Sequence, residues 1–400
     1  MNRWTSPRAI GIVGMVLGAA AFWLALPPLA ARTAVLPIAL GILAIAAGIW
    51  ASSREAGRAG GGAIAAGLLG IGFGVLATRS SSAHLDTVVV WSTLFAATLR
   101  YATPLTFAAI GGLFCERSGV VNVALEGMLL TGAFFAIWGA IWAHTWAGGF
   151  AWVIGLAVAA LAGMALAAVH AVWTITFKVD QIISGTALNF LALGITGYLF
   201  VDKYGDTGTP GNVPAYGIPD IHLHFLQNWT FIGPIFGQLN LMIWLSFALL
   251  VATSVFVFRT PWGLRLRAVG EHPRAADTVG INVYAVRYGA VVLSGVLAAI
   301  GGVYLSDGFG GGAFTDNMTE GRGFIALAAM IFGNWRPFGA FGAALLFGFS
   351  SALAFRLQVY SASASTLFNV LPYVLTLIAV GGVIGRTVAP AADGKPYRKQ

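Results

Sequence analysis

Residues 239–258 read LNLMIWLSFALLVATSVFVF, and residues 286–306 read VRYGAVVLSGVLAAIGGVYLS. The first run carries no charged side chain; the second carries only Arg287, near its start. Each supplies the roughly 20 apolar residues that an α-helix needs to cross the hydrocarbon of a bilayer. Between them Gly270–Arg287 reads GEHPRAADTVGINVYAVR, a polar island with charges of both signs. Apolar runs separated by short polar islands describe a chain that crosses a membrane repeatedly. The 58% hydrophobic and 9% charged residues, with a mean hydropathy of +0.83 over 400 residues, extend that reading to the whole chain. The expected fold class is all-α, a polytopic transmembrane helical bundle.

Working outward, apolar segments fall near 10–31, 34–51, 60–78, 88–111, 120–142, 150–173, 183–201, 239–258, 286–306, 323–333, 338–355 and 366–385. About 10–12 of them read as spans, each near the length a bilayer requires. The segment 323–333 is too short to cross at normal pitch and is expected to be tilted, re-entrant or joined to its polar flanks. Within 104–127, Pro104, Gly111, Gly112, Glu116, Arg117 and Gly119 predict a broken helix. Irregular backbone at that depth needs protein or a watery cavity around it. The basic start MNRWTSPR followed by a long apolar run reads as an uncleaved first span rather than a signal peptide.

With the N-terminus in the cytoplasm, the inner loops and the tail hold sixteen of the 22 Lys and Arg residues, from Arg3 and Arg8 to Arg398 and Lys399. Six remain elsewhere: Arg32, Arg79, Arg100, Lys203, Arg322 and Arg356. That asymmetry is the signature that orients membrane helices. It places both termini and Gly270–Arg287 on the cytoplasmic side, and 202–238 outside. The Gly and Pro density of GDTGTPGNVPAYGIP argues against a long helix in that outer loop. The formal charge of +8 is scattered over short loops and one tail, so no nucleic-acid partner is expected.

Several chemistries are missing. The Gly-Lys pair at Gly394-Lys395 is followed by Pro396, not by the Ser or Thr of a phosphate-binding loop. No His-Glu-x-x-His zinc signature and no Gly-x-Ser-x-Gly nucleophile elbow occurs. Cys115 is the lone cysteine, which precludes an intrachain disulfide. His222 and His224 lack an obvious third ligand, so no metal site is expected. The chain reads as a path rather than an enzyme.

Polar residues near spans are candidates for lining that path, because a buried polar or charged group in lipid is costly. They are Glu116, Asn122, Glu126, Asp180, Gln181 and Asn189. Asn122 and Glu126, four apart, are expected on one helical face, and Gln181 and Asn189, eight apart, on nearly one face. Glu116 beside Arg117, and Asp180 beside Lys178, also fit the role of interfacial anchors. Asn122 and Asn189 also fit interhelical hydrogen bonding. Trp138, Trp142, Trp146 and Trp152 read as an interfacial belt. In GEHPRAADTVGIN, Pro273 can open a helix and Gly280 can close it. Two turns are too few to stand alone in water, so this helix needs a protein surface. Ala275 and Ala276 keep one side of it small. An ordinary polar loop is the alternative.

Four ordered motifs carry a family resemblance: PLTFAAIGGLFCERSGVVNVALEGMLLTGAFFA at 104–136, VDQIISGTALNFLALG at 179–194, GLRLRAVGEHPRAADTVGINVYAVRYGAVVLSGVLAAIGGVYLS at 263–306, and GRGFIALAAMIFGNWRPFGAFGAALLFG at 321–348. The resemblance covers about residues 88–388. The chain resembles the permease subunits of ATP-binding-cassette importers, in the branch that includes branched-chain amino acid, ribose and nucleoside permeases. It is most similar there to a nucleoside importer permease of the simple-sugar group. The resemblance implies a partner permease, ATPase subunits that bind the ATP, an extracytoplasmic solute-binding protein and residence in a bacterial inner membrane. No cofactor is expected on this chain. Gly270, Glu271, His272, Pro273, Arg274, Ala275, Ala276, Asp277 and Gly280 then correspond to a coupling helix that docks on the ATPase. The same analogy places Glu116–Gly127 and Asn189 along the translocation path. Residues 1–87 stand as an N-terminal extension, and 389–400 as a cytoplasmic tail. A competing function is an ion-coupled secondary transporter that uses Glu126 or Asp180 as a proton site.

Overall fold

The computed structural model describes residues 6–26, 33–78, 90–205, 217–309, 312–360 and 387–399, with Val370, Tyr373, Val374 and Ile378 between the last two. Among these, eight helical stretches are long and apolar enough to cross a membrane, and one of the eight, Leu125–Thr176, contains two successive helices. Apart from those four residues, Val370, Tyr373, Val374 and Ile378, the expected span 366–385 lies outside the described residues, as does 206–216 of the expected outer loop. The chain divides into two compact units, residues 1–98 with 346–387, and residues 99–345 with 388–400.

The first unit is built on α1 (Pro7–Ala25), α2 (Val35–Ser53) and α3 (Gly57–Thr78). Ser6 caps α1 by accepting the Ala9 N–H at 3.3 Å, and Pro7 occupies the first turn, where its missing N–H does no harm. Small residues (Gly18 and Ala66, Gly41 and Gly67) let the backbones approach closely, while Val16, Leu36 and Ile49 face outward. That inversion suits a lipid surround, where tight packing rather than water exclusion holds helices together. The helix α4 (Trp91–Arg117) starts in this unit and continues in the second.

The second unit contains α5 (Leu125–Ala147), α6 (Ala151–Ala171) with a π-helical turn at Val172–Thr176, and α7 (Gln181–Tyr204). Asp180 caps α7, accepting from the Ile182 and Ile183 N–H groups at 2.9 and 3.0 Å. Two short antiparallel strands follow, β1 (Asp220–His222) and β2 (Gln238–Asn240), with Asp220 opposite Asn240. Asn240 then caps α8 (Leu241–Arg259), Thr260 caps α9 (Pro261–Glu271), and α10 (Pro273–Thr278) follows after His272. Asn282 caps α11 (Val283–Val303), which runs into a second π-helical turn at Tyr304–Phe309. The remaining helices are α12 (Arg322–Phe332) and α13 (Pro337–Tyr360).

The expected break within 104–127 is present, near its far end. Helix α4 passes through Pro104 to Arg117, and only 118–124 is non-helical before α5 begins. Proline inside a membrane helix is tolerated when neighbouring groups satisfy the freed backbone. Around Pro104 the Thr103 and Thr106 hydroxyls donate to the Leu99 and Ala102 carbonyls at 2.7 and 2.8 Å. At 11 residues, α12 rises only about 16 Å, half of a bilayer core, so it does not cross.

Helix α11 is the packing centre of this unit, and 0–7% of its Val291, Leu297, Ala298, Ala299 and Val303 is exposed. Gly295 faces Gly163 of α6: a Cβ on Gly295 would lie 2.5 Å from the Gly163 carbonyl oxygen. Gly289, on the same helix, has nothing within 4 Å of such a Cβ. Gly295→Val is therefore expected to abolish accumulation of folded protein in membranes, while Gly289→Val leaves it near wild type. Fluorescence-detected size-exclusion of detergent extracts reads the difference, and equal behaviour of the two variants contradicts it.

Candidate functional site

The break at 118–124 concentrates the polar chemistry of the second unit. Gly119 turns the chain at φ +88°, and the peptide groups that follow have no helical partners. Side chains from two other helices, α6 and α7, supply several of them. The Val121 N–H donates to Gln181 Oε1 at 2.6 Å. Asn189 is bidentate, accepting from the Gly127 N–H at 2.8 Å and donating to the Val123 carbonyl at 2.9 Å. His170 Nε2 lies 3.1 Å from the Val121 carbonyl, and Nδ1 lies 2.9 Å from Ser184 Oγ. A carbonyl only accepts, so Nε2 carries the proton there. Asn122 accepts from the Ala124 N–H at 3.0 Å and donates to Ser294 Oγ of α11 at 2.9 Å.

Asn122 thus lies in the turn, not on a helical face with Glu126, which corrects that expectation. The helix-face argument needed helix at Asn122, and Gly119 ends the helix before it. Gln181 and Asn189 do share a face of α7, the one turned toward the break. Their amides, with Asn122, satisfy irregular backbone.

Glu126, in the first turn of α5, is buried and acts on a different element. Its Oε1 accepts from Thr319 Oγ1 at 2.6 Å and the Gly321 N–H at 2.8 Å, and its Oε2 accepts from the Gly323 N–H at 2.5 Å. It therefore caps α12 from outside, where the orphan N–H groups and the positive end of the helix dipole favour a carboxylate. Asp180 is exposed and caps α7.

At the far end of α4, Glu116 is 3% exposed and accepts from Trp335 Nε1 at 2.6 Å. Arg117 donates Nε and Nη2 to the Trp335 carbonyl at 3.0 and 2.7 Å. These bonds hold Asn334 and Trp335 at φ +54° and +51°, a conformation costly for a bulky residue. Gly270 packs so closely on the Arg117 carbonyl that no side chain fits between them.

Beyond Gly270, the expected two-turn helix is present as α10, closed by Gly280 at φ +84°. Ala276 is buried with Val269, Val283 and Tyr397. Glu271, His272, Arg274, Ala275 and Gly280 are exposed, and Val279 is 74% exposed. Of the two alanines expected to keep one side small, Ala276 thus faces this chain and Ala275 faces away. Pro273 and Asp277 are half-buried. A cavity of about 430 Å³ lies between α10 and residues 391–398.

Sequence reasoning missed His170, Ser294, Thr319, Arg287 and Trp335. A histidine inside the apolar run 150–173 was a legible signal; the partners of Glu126 lie almost 200 residues away and left none.

Eight helical stretches long and apolar enough to cross a membrane, with a braced break between two of the helices, define a polytopic helical membrane protein. A family described as "Branched-chain amino acid transport system / permease component" matches residues 94–380, and the chain belongs to that family. It is 41% identical over 330 residues to the guanosine ABC transporter permease protein NupQ of Bacillus subtilis, covering 79% of this chain and 99% of that one. It is 39% identical over 311 residues to the nucleoside ABC transporter permease protein NupC of Lactococcus lactis, covering 75% and 95%. A putative glucose ABC transporter permease protein of Haloferax volcanii is 36% identical over 270 residues, covering 67% and 78%. No solved structure matches.

Glu126→Ala leaves the half-buried Gly321 N–H and the buried Gly323 N–H without their acceptor, the buried one costing about 1–3 kcal/mol. The melting temperature of the purified protein in detergent is expected to fall by several degrees. An unchanged melting temperature contradicts the capping role.

Proposed function

We propose that the chain is one permease of a nucleoside importer, working with a second permease, ATPase subunits that bind the ATP, and an extracytoplasmic solute-binding protein. The substrate class rests on the nucleoside permeases among its relatives. A second permease is supported by similarity to NupP as well as NupQ, both guanosine ABC transporter permease proteins of Bacillus subtilis. The charge asymmetry supports an inner-membrane orientation with both termini cytoplasmic. Helix α10 then lies on the cytoplasmic side as the coupling helix, presenting Glu271, His272, Arg274 and Ala275 to the ATPase. Pro273, Ala276, Asp277 and Gly270 set its angle on the bundle, and Gly280 ends it. The polar break, from Glu116 through Asn122 and Glu126, lines the translocation path with Asp180, Gln181 and Asn189 at its α7 side. Residues 1–87 are an extension ahead of the permease core, since the family match starts at residue 94.

The observation that carries this reading is a two-turn helix that buries one face on its own bundle and leaves the rest uncovered. Such a helix is unstable alone and is built to be gripped. ATP binding by the partner would shift the bundle between two states, provided the ATPase contacts α10 differently in each.

The test is uptake of tritiated guanosine by vesicles containing the assembled transporter. Ala275→Asp places a charge on the face turned to the ATPase and is expected to cut uptake about tenfold or more. Full uptake by that variant contradicts the coupling assignment. Competition by unlabelled guanosine, adenosine and uridine, with none by glucose, is the expected substrate pattern; glucose as the strong competitor overturns the nucleoside reading.

A further inference from the structure

Resting on the reading of α10 as the coupling helix, we propose that Val388–Lys399 is a strap that makes α10 and the Glu116–Gly119 turn move as one piece, with Arg287 as its positioning residue. A segment with neither helix nor strand is held only by what it bonds to, and this one is bonded on several sides. The Ala392 N–H donates to the Gly270 carbonyl at 2.9 Å, and the Ala391 N–H donates to Glu271 Oε2 at 3.1 Å. The Val388 N–H donates to Asn334 Oδ1 at 2.9 Å, beside the strained Trp335. Tyr397 packs edge-on against Tyr284 at 5.4 Å and shares a buried cluster with Ala276 of α10 itself.

Arg287 sits at the centre, 2% exposed. Its Nε donates to the Ser118 carbonyl at 3.2 Å, and its Nη1 donates to the Lys395 carbonyl at 3.0 Å. One guanidinium thereby joins the break after α4 to the strap. Nη2 lies against Gly119, where a Cβ would come within 2.8 Å of it. Burial pushes the Asp393 carboxyl up to about 6, against the lowering effects of Glu116 and Arg287.

The mechanical reason for a strap lies in the joints of α10. His272 precedes it at φ −138°, ψ 78°, and Gly280 follows it at φ +84°. A two-turn helix between two such joints would swivel under load and dissipate the displacement. The strap bonds to Gly270 and Glu271 before the first joint, packs Tyr397 on Ala276 between the two, and stacks it on Tyr284 beyond the second. A push on α10 then reaches Ser118, and with it the break, through backbone bonds rather than through a hinge.

The experiment uses the assembled transporter in vesicles and reads two rates: tritiated guanosine uptake and ATP hydrolysis. Arg287→Gln and Tyr397→Ala are each expected to lower guanosine moved per ATP hydrolysed about tenfold, while ATP hydrolysis per assembled complex stays within about twofold. A merely structural role would lower both rates together, and that result overturns the strap. So does a wild-type ratio. Where Arg287→Gln does not assemble, Tyr397→Ala decides, since it leaves the buried guanidinium bonded. The coupling assignment fails separately: Ala275→Asp with full uptake sinks that reading, whereas a wild-type ratio in the strap variants with Ala275→Asp inactive sinks the strap alone.

Discussion

In lipid no water is available to an unpaired peptide group, so every interruption of a helix must be satisfied by other parts of the protein. The interruption after Arg117 imposes that constraint on the second unit. Gln181 and Asn189 from α7, His170 from α6 and Arg287 from α11 all converge on residues 118–127. Three helices are thereby fixed around one short stretch of backbone. The same constraint explains Glu126, which satisfies the exposed N–H groups at the start of a helix too short to cross.

Close backbone approach makes this convergence possible. Gly163 and Gly295 bring α6 and α11 together, and Gly270 brings the end of α9 against Arg117. Each contact removes a side chain that would otherwise separate the elements. Polar side chains can then bridge short gaps from helix to backbone. The 118–124 turn is consequently rigid by number of bonds rather than by any single strong one, and a displacement of α11 or α9 cannot leave it unmoved. That is the property a gate between two states requires, under the reading of the chain as an importer subunit.

Much of the fold was legible because a bilayer imposes a length on apolar runs, and those runs are long and well separated here. Pro273 and Gly280 bracketed α10 correctly because proline at a helix start and glycine just past its end act locally. The break expected within 104–127 falls at 118–124, at Gly119 rather than at Pro104: whether a proline breaks a helix depends on neighbours distant in sequence, and α4 continues past it. The polar residues near the break were visible as types, yet their partners were not. Glu126 bonds to Thr319, Gln181 bonds to Val121, and Arg287 bonds to Lys395, pairings that only the folded chain brings together. Arg287 entered the sequence reading as one more positive charge, and nothing in its neighbours announced a buried hub.

The central claim is that this permease has no driving force of its own and is worked by ATP bound elsewhere. Guanosine accumulation in vesicles, measured with ATP enclosed and all ion gradients collapsed by ionophores, tests it most directly. Accumulation that needs the ATPase subunit and ATP and is indifferent to the ionophores is the predicted result. Accumulation by this chain without an ATPase, abolished when the ion gradient is collapsed, would contradict it.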